Sequence, residues 1–280
     1  MSTEARNPRS YGLDRMTATE IVRLMNEEEY AVLRALQNAE AAIALTVERA
    51  AKAFQDGGRI VYVGAGTSGR LCHLDAAEMT ITFGLDYEAF TAVVAGGLDP
   101  HPSDDAEDDE HAAVHAINSL RLDRQSIVIG VAASGRTPFT IAALRHASQK
   151  GLWTCAIVNN PSAPMKQVAD HTILLDTGPE ILTGSTRLKA GTAQKLALER
   201  ISTGAMVLSG KTIQNLMVDV KPSSHKLRER AVRIVRELSN ATADEALQAL
   251  EASGWNIRRA LSDLESSIAQ EALVEPLRAC

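Results

Sequence analysis

The sequence predicts an α/β fold in three layers: a parallel sheet between two layers of helices, with helical extensions at both ends. Three observations carry that prediction. Five short, continuously apolar runs, at 59–63, 90–95, 126–131, 153–158 and 171–175, alternate with segments of helical period. Runs that are apolar at every position must be covered on both faces, which parallel strands joined by crossover helices achieve. The first run ends in Gly64-Ala-Gly-Thr-Ser-Gly69, a glycine turn that leads a strand directly into a helix starting near Ser68.

Taken in order, residues 1–16 are polar, contain Pro8 and Gly12, and read as an extended arm. Thr17-Ala-Thr-Glu20 has capping-box form, and Ile21, Leu24, Met25, Val32, Leu33, Leu36, Ile43 and Val47 keep helical spacing as far as Phe54, where Gly57-Gly58 stops it. The strands and their intervening helices follow. Beyond Leu175, residues 177–189 form a loop and 190–208 a long helix rich in alanine and leucine. From about 224 onward, Leu227, Val232, Ile234 and Val235 and the later stretches around Leu247 and Trp255 are helical in period. They form either a small module joined near Lys221-Pro-Ser-Ser224 or an extension of the main domain. The expected division is an arm with helices over 1–57, a sheet domain over 58–222 and a helical module over 223–280.

Composition narrows the function. At 280 residues, 45% hydrophobic and only 4% aromatic, the chain builds a core of Ala, Val, Leu and Ile. A formal net charge of −6 argues against a nucleic-acid or anionic-membrane partner, because those require clustered Lys and Arg to displace counterions. No run reaches the length of a membrane span, and the first sixteen residues have no apolar signal core. Cys72, Cys155 and Cys280 are far apart, odd in number and without metal spacing. The expectation is a cytoplasmic protein with no metal and no membrane contact.

The glycine turn has echoes. Val63-Gly-Ala-Gly-Thr-Ser68-Gly-Arg70 at one strand end returns as Val131-Ala-Ala-Ser134-Gly-Arg-Thr137 at another, and Gly184-Ser-Thr-Arg187 is a third variant. In an open parallel sheet such loops converge above the carboxyl ends of the strands. Their hydroxyls and backbone N–H groups suit a phosphate and the hydroxyls of a sugar. Two other readings stand beside this one: ordinary turns with N-cap hydroxyls, and a dinucleotide fingerprint in Gly64-x-Gly66-x-x-Gly69. Against the fingerprint, the loop carries two hydroxyls, and Asp86 and Glu88 are only loosely placed for a ribose.

Two acids and a few basic groups complete the candidates. Glu78 lies in the largely apolar Leu74-Asp-Ala-Ala-Glu78-Met-Thr-Ile-Thr-Phe83, where burying an acid without a task is unfavourable. Glu107 lies in Ser103-Asp-Asp-Ala-Glu-Asp-Asp-Glu110, which by itself reads as a solvated acidic helix start. His73 faces either the site or the sheet. Lys189 and Lys195 flank the start of the long helix, and either is a candidate to neutralise a substrate charge.

These residues resemble the N-acetylmuramic acid 6-phosphate etherase family of sugar isomerase (SIS) domain proteins, related also to the glucokinase regulatory protein. The resemblance runs through Thr3-Glu-x-Arg-Asn-Pro8, Leu24-Met-Asn-Glu-Glu28, Gly64-Ala-Gly-Thr-Ser-Gly-Arg-Leu71, Asp75-Ala-x-Glu78, Ala95-Gly-Gly97, Ala106-Glu-Asp108, Ala133-Ser-Gly-Arg-Thr-Pro138, Gly178-Pro-Glu180, Gly184-Ser-Thr-Arg-x-Lys-Ala-Gly-Thr-Ala-Gln-Lys195 and Asn215-Leu-Met-Val-Asp-Val220. It implies a flavodoxin-like SIS fold, no cofactor, and a syn elimination on an open-chain 2-acetamido sugar 6-phosphate. The C2 proton is removed and the C3 substituent leaves, as D-lactate in the etherase. Glu78 is then implied as the acid that protonates the leaving group and Glu107 as the second catalytic carboxylate, against the solvated reading of Glu107. Gly66, Thr67, Ser68, Ser134, Gly135, Arg136 and Thr137 are implied to hold phosphate and sugar, with Ser185, Thr186 and Lys189 on a closing loop. His73 and His225 are candidates for ring opening, and a homodimer is expected.

The chain departs from the family pattern around the first acid. Ala77-Glu-Met-Thr-Ile-Thr-Phe83 stands where etherases usually carry Ser-Glu-Cys-Pro-Pro-Thr-Phe, and His73 replaces a small or aliphatic residue. The segment Leu98-Asp-Pro-His-Pro-Ser-Asp-Asp105 is short and acidic, a poor host for a lactyl carboxylate. The C-terminal module is expected to be abbreviated. Two other functions follow: a dehydratase that expels hydroxide from N-acetylglucosamine 6-phosphate, and a sugar-phosphate sensor without catalysis.

Overall fold

The computed structural model describes residues 3–98 and 104–274, so most of the acidic segment after Leu98, and Cys280, lie outside the described residues. In chain order the elements are α1 (Ala18–Glu28), α2 (Tyr30–Asn38), α3 (Glu40–Gln55), β1 (Ile60–Gly64), α4 (Gly66–Phe83), β2 (Phe90–Val94), α5 (Glu110–Ser119), β3 (Ile127–Ala132), α6 (Pro138–Gln149), β4 (Trp153–Val158), β5 (His171–Leu174), α7 (Lys189–Leu208), α8 (His225–Ser239), α9 (Ala243–Ala252) and α10 (Ile257–Val274). Each of the five apolar runs became a strand within about one residue of its expected limits.

All pairings are parallel and the strand order is β2-β1-β3-β4-β5. Order reverses at β1, whose neighbours are β2 and β3, and this places the switch point between β1 and β3. The pleat divides the side chains. Val61, Val63, Val128, Ala132, Ala156 and Val158 share one core with α5 and α6 residues such as Ile117, Phe139 and Leu144. Tyr62, Ile129, Cys155 and Ile157 are equally buried on the opposite face, where Thr46 of α3 meets the Cys155 thiol at 3.7 Å. Covering on both faces is what the unbroken apolar runs demanded.

The helical signals worked locally. Thr17 and Glu20 form a reciprocal capping box, with Thr17 N–H donating to Glu20 Oε2 at 2.8 Å. The periodic stretch that follows is three helices, broken at Glu29 and Ala39. Without prolines after Glu78, α4 runs on through Met79 and Thr80 to Phe83. The arm is not simply extended: Thr3 and Asn7 are buried, and Asn7 Oδ1 accepts from Arg9 N–H at 3.0 Å to cap a short turn over Pro8–Ser10.

Packing divides the chain into two compact units, Met1–Glu78 with Asp86–Ser209, and Met79–Leu85 with Gly210–Cys280. The first thus holds the sheet together with the N-terminal helices. The second has its own core, in which Val218, Val220, Ala231, Val235, Ala246, Leu250, Ile257 and Ala260 are buried. Arg258 Nε donates to Asp219 Oδ1 at 2.6 Å within it. No helix among the described residues is long and apolar enough to cross a membrane.

Candidate active site

The site is built at the switch point. β1 ends at Gly64, and α4 begins at Gly66, so Thr67 and Ser68 occupy the first turn of a helix whose N–H groups face the strand ends. Gly69 has to lack a side chain, because a Cβ there would lie 2.7 Å from Gly64 O and 2.7 Å from Val94 Cγ1. That close approach sets α4 directly on the strand ends.

The loop after β3 meets the same edge. Ser134 Oγ accepts from Arg136 N–H at 3.2 Å, and Gly135 takes φ +64, where an added Cβ would come within 2.3 Å of Ala163 Cβ. Thr137 precedes Pro138 at the start of α6, and its hydroxyl makes no capping bond. Gly135 is buried, Ser134 and Thr137 are half-buried and Arg136 is exposed.

The third loop joins through α7. A Cβ on Gly191 would sit 3.4 Å from Thr186 O and 3.6 Å from Thr67 Cγ2, so Thr67, Thr186 and the first turn of α7 are neighbours. Below them runs a buried polar chain: Ser68 Oγ donates to Gln194 Oε1 at 2.8 Å, Gln194 Nε2 to Asn159 Oδ1 at 2.9 Å, and Asn159 Nδ2 to Leu175 O at 2.8 Å. Asn159 N–H donates to Ala133 O at 2.9 Å, and Asn160 Nδ2 reaches Ser134 O at 3.4 Å. Three loops far apart in sequence are thereby tied into one edge.

Two expected ligand contacts are committed elsewhere. Ser68 is buried and spends its hydroxyl proton on Gln194. Lys189 is 3% exposed and its Nζ pairs with Glu28 Oε2, so it is neither a surface lysine nor free to meet a substrate charge. The reason is the folded arm: Glu28 also accepts from Asn7 Nδ2 at 2.8 Å and Arg9 Nη1 at 2.9 Å, and Asn7 Nδ2 reaches Pro179 O at 3.3 Å. Burial works against the Glu28 charge, but Lys189, Asn7 and Arg9 outweigh it and hold the carboxyl below its ordinary range. The N-terminus of α7 is occupied as well. Buried Glu180 accepts from Lys189 N–H at 3.1 Å and Ala190 N–H at 2.9 Å, while burial raises its proton affinity. Lys195 pairs with Glu199 at 2.5 Å.

Both candidate acids lie at the surface. Glu78 is exposed, because Cys72, Ala76, Met79 and Phe83 make the buried stripe of α4 and Glu78 lies off it. It stands eleven residues beyond Thr67, about 16 Å along the helix at 1.5 Å per residue. Glu107 is exposed in a 3-10 turn, Asp104–Asp108, whose Ala106 packs into the core cluster that also takes Ala65, Ala95 and Phe139. His73 is exposed. His225 belongs to the other compact unit, exposed at the first position of α8 and 3.7 Å from Glu229.

A further acid is enclosed by the fold. Asp75 lies on the buried stripe of α4 at 8% exposure, and Asp75 Oδ1 accepts from Ser202 Oγ at 3.0 Å. Its interruption of the spacing Cys72–Ala76–Met79 was the available signal. Cys72 and Cys155 are buried free thiols. Among the described residues no three His, Cys, Asp or Glu side chains are placed to hold a metal.

Known proteins match this arrangement. A model of the glucokinase regulatory protein N-terminal SIS domain matches residues 42–148, and a model of the SIS domain matches residues 108–201. A Histophilus somni protein named N-acetylmuramic acid 6-phosphate etherase is 45% identical over 279 residues, which cover 98% of this chain and 92% of the relative. The chain belongs to the N-acetylmuramic acid 6-phosphate etherase family. A Geobacillus thermodenitrificans member of that family is 46% identical, over 93% of this chain and 89% of its own. The fold alone is shared with the solved phosphoheptose isomerase of Francisella tularensis, at TM-score 0.50 and 12% identity, covering 70% of this chain and all of that one.

Proposed function

We propose that this protein is a carbon–oxygen lyase that cleaves the lactyl ether of N-acetylmuramic acid 6-phosphate, releasing D-lactate and giving N-acetylglucosamine 6-phosphate. What carries the reading is family membership at 45% identity over nearly the whole chain, with both candidate acids, Glu78 and Glu107, present. Thr67, Ser134, Thr137, Ser185 and Thr186 offer hydroxyls at one edge, and the first turns of α4 and α6 add backbone N–H groups for a phosphate. Ser68 and Lys189 support that edge from below rather than touching the ligand.

With phosphate at these loops, the open-chain sugar presents its C1 aldehyde, which acidifies the C2 proton. Glu107 takes that proton, the C3–O bond breaks, and Glu78 protonates the departing lactyl oxygen; water then adds at C3, giving a proton to Glu78, while Glu107 returns its proton to C2. Three turns of α4 between Thr67 and Glu78 exceed the reach from the phosphate to C3 of one sugar. A second copy of the chain, bringing its own Glu78 to the first copy's loops, resolves this. Leu74, one turn before Glu78 and 53% exposed, gives that helix surface an apolar contact for a partner. A homodimer acting in the cytoplasm on a small sugar phosphate, without cofactor, is the reading that results.

Incubating the protein with N-acetylmuramic acid 6-phosphate and, separately, with N-acetylglucosamine 6-phosphate tests it. Release of D-lactate is expected; an unsaturated sugar from the second substrate alone would make the protein a dehydratase, and binding without product a sensor. Because Glu78 is exposed, Glu78→Gln should lower kcat by about a thousandfold while leaving the melting temperature unchanged.

A further inference from the structure

α4 carries both the loop hydroxyls and Glu78, and it is held to α7 by two polar rungs. Ser68 to Gln194 is the first, at 2.8 Å, and Asp75 to Ser202 the second, at 3.0 Å. The intervals are seven residues along α4 and eight along α7, each about two turns, so the rungs keep the two helices in register. Both rungs are buried: Ser68, Asp75, Gln194 and Ser202 are all at most 9% exposed.

The second rung is unusual in what surrounds it. Asp75 has no paired cation. Besides Ser202, the groups around it are Tyr62 of β1, Cys72 of α4, and Glu199 and Lys195 of α7, which oppose each other. Tyr62 Oη lies against Asp75, and this hydroxyl together with that of Ser202 works against the burial that raises the carboxyl. A carboxyl kept in such a place without a counter-ion opposes folding, and helix packing alone would be served by an apolar residue.

We propose that Asp75 is a positioning residue of the lyase reaction: by bridging α4 to Ser202 of α7 beside Tyr62 of β1, it fixes where Glu78, three residues further along α4, is held. This rests on the proposed role of Glu78. The geometry favours it because Glu78 is the last residue of the sheet-bearing unit on α4 and is itself exposed, so what holds it within that unit lies on the turn before it. Within that unit the polar anchor nearest to Glu78 on α4 is Asp75, about 4.5 Å away along the axis.

The test compares Ser202→Ala, which removes the donor, with Asp75→Asn, which keeps an oxygen for Ser202 and offers an N–H to Tyr62. Steady-state kinetics on N-acetylmuramic acid 6-phosphate and amide hydrogen exchange along α4 are measured on the full chain. Ser202→Ala is expected to lower kcat about tenfold with KM within about twofold, and to speed exchange in the second half of α4. Asp75→Asn is expected to keep kcat within about threefold of wild type, with exchange as slow as wild type. Unchanged kcat and exchange in Ser202→Ala would overturn the proposal, as would loss of kcat in Asp75→Asn with α4 exchange unaltered. Should the wild type turn over no sugar phosphate, the lyase reading fails, and exchange along α4 then decides whether the rung anchors that helix.

Discussion

Two carboxylates, one at each of two helix junctions, behave in opposite ways. Glu28, at the junction of α1 and α7, meets Lys189, Arg9 and Asn7, and its proton affinity is lowered although burial opposes it. Asp75, at the junction of α4 and α7, meets mainly hydroxyls, and burial pushes it up to about 6. Both are carboxylates; Glu28 is half-buried and has a counter-ion, whereas Asp75 is buried and has none. Hydroxyl donors alone do not replace hydration, whereas one buried ammonium with two further donors does. The first junction is therefore a structural clamp for the arm and the 177–188 loop, and the second is a place where the fold accepts a penalty.

The largest expected effect breaks the clamp. Lys189→Met leaves the half-buried Glu28 without its principal partner and should lower unfolding free energy by about 3 kcal/mol in urea denaturation, while Glu28→Leu combined with Lys189→Met should recover most of the loss. The Glu28 contribution has a definite sign with pH. Its folded value lies below the ordinary 4.5, so the stabilisation is present above 4.5 and fades as pH falls through the folded value; the deficit of Lys189→Met shrinks in acid.

The second prediction reverses sign. Asp75 is raised from 3.8 to about 6, so the folded state holds its proton more tightly than the unfolded chain, and this favours folding only at low pH. As pH rises through about 6 that advantage disappears, leaving a penalty of about 3 kcal/mol relative to a residue that cannot ionise. Asp75→Asn should therefore be more stable than wild type by about that amount at pH 7.5 and no more stable at pH 4, measured by denaturant titration at both pH values. A variant less stable at pH 7.5 would show that the hydroxyls around Asp75 solvate its charge after all.

The smallest effect sharpens the clamp. Asn7→Ala removes one donor to Glu28 and should cost about 1 kcal/mol, seen as a small fall in the denaturation midpoint.

Much of this was legible in the sequence, for local reasons. The five strands, the Thr17–Glu20 cap, the long helix over 189–208 and the three hydroxyl loops all depend on patterns within a dozen residues of one another. What misled was burial on α4. Glu78 was expected inside because its neighbours are apolar, but a helix assigns sides by its period, and the stripe through Cys72, Ala76 and Met79 takes Asp75 in and leaves Glu78 out. The polar residues of the arm predict an extended segment; Asn7 is buried because Glu28 and Pro179, 21 and 172 residues away, supply its partners.

By itself, then, the sequence determined the layers, the strand limits, the converging loops and the family, since period, glycine placement and long motifs are properties of neighbouring residues. Only the tertiary structure decided that Lys189 is half of a buried ion pair, that Glu180 occupies the start of α7, that Ser68 serves a buried chain of amides, and that Asp75 rather than Glu78 is the enclosed acid. Each of those outcomes depends on which distant segment supplies the counter-ion or donor, and that is settled only when the chain has closed on itself.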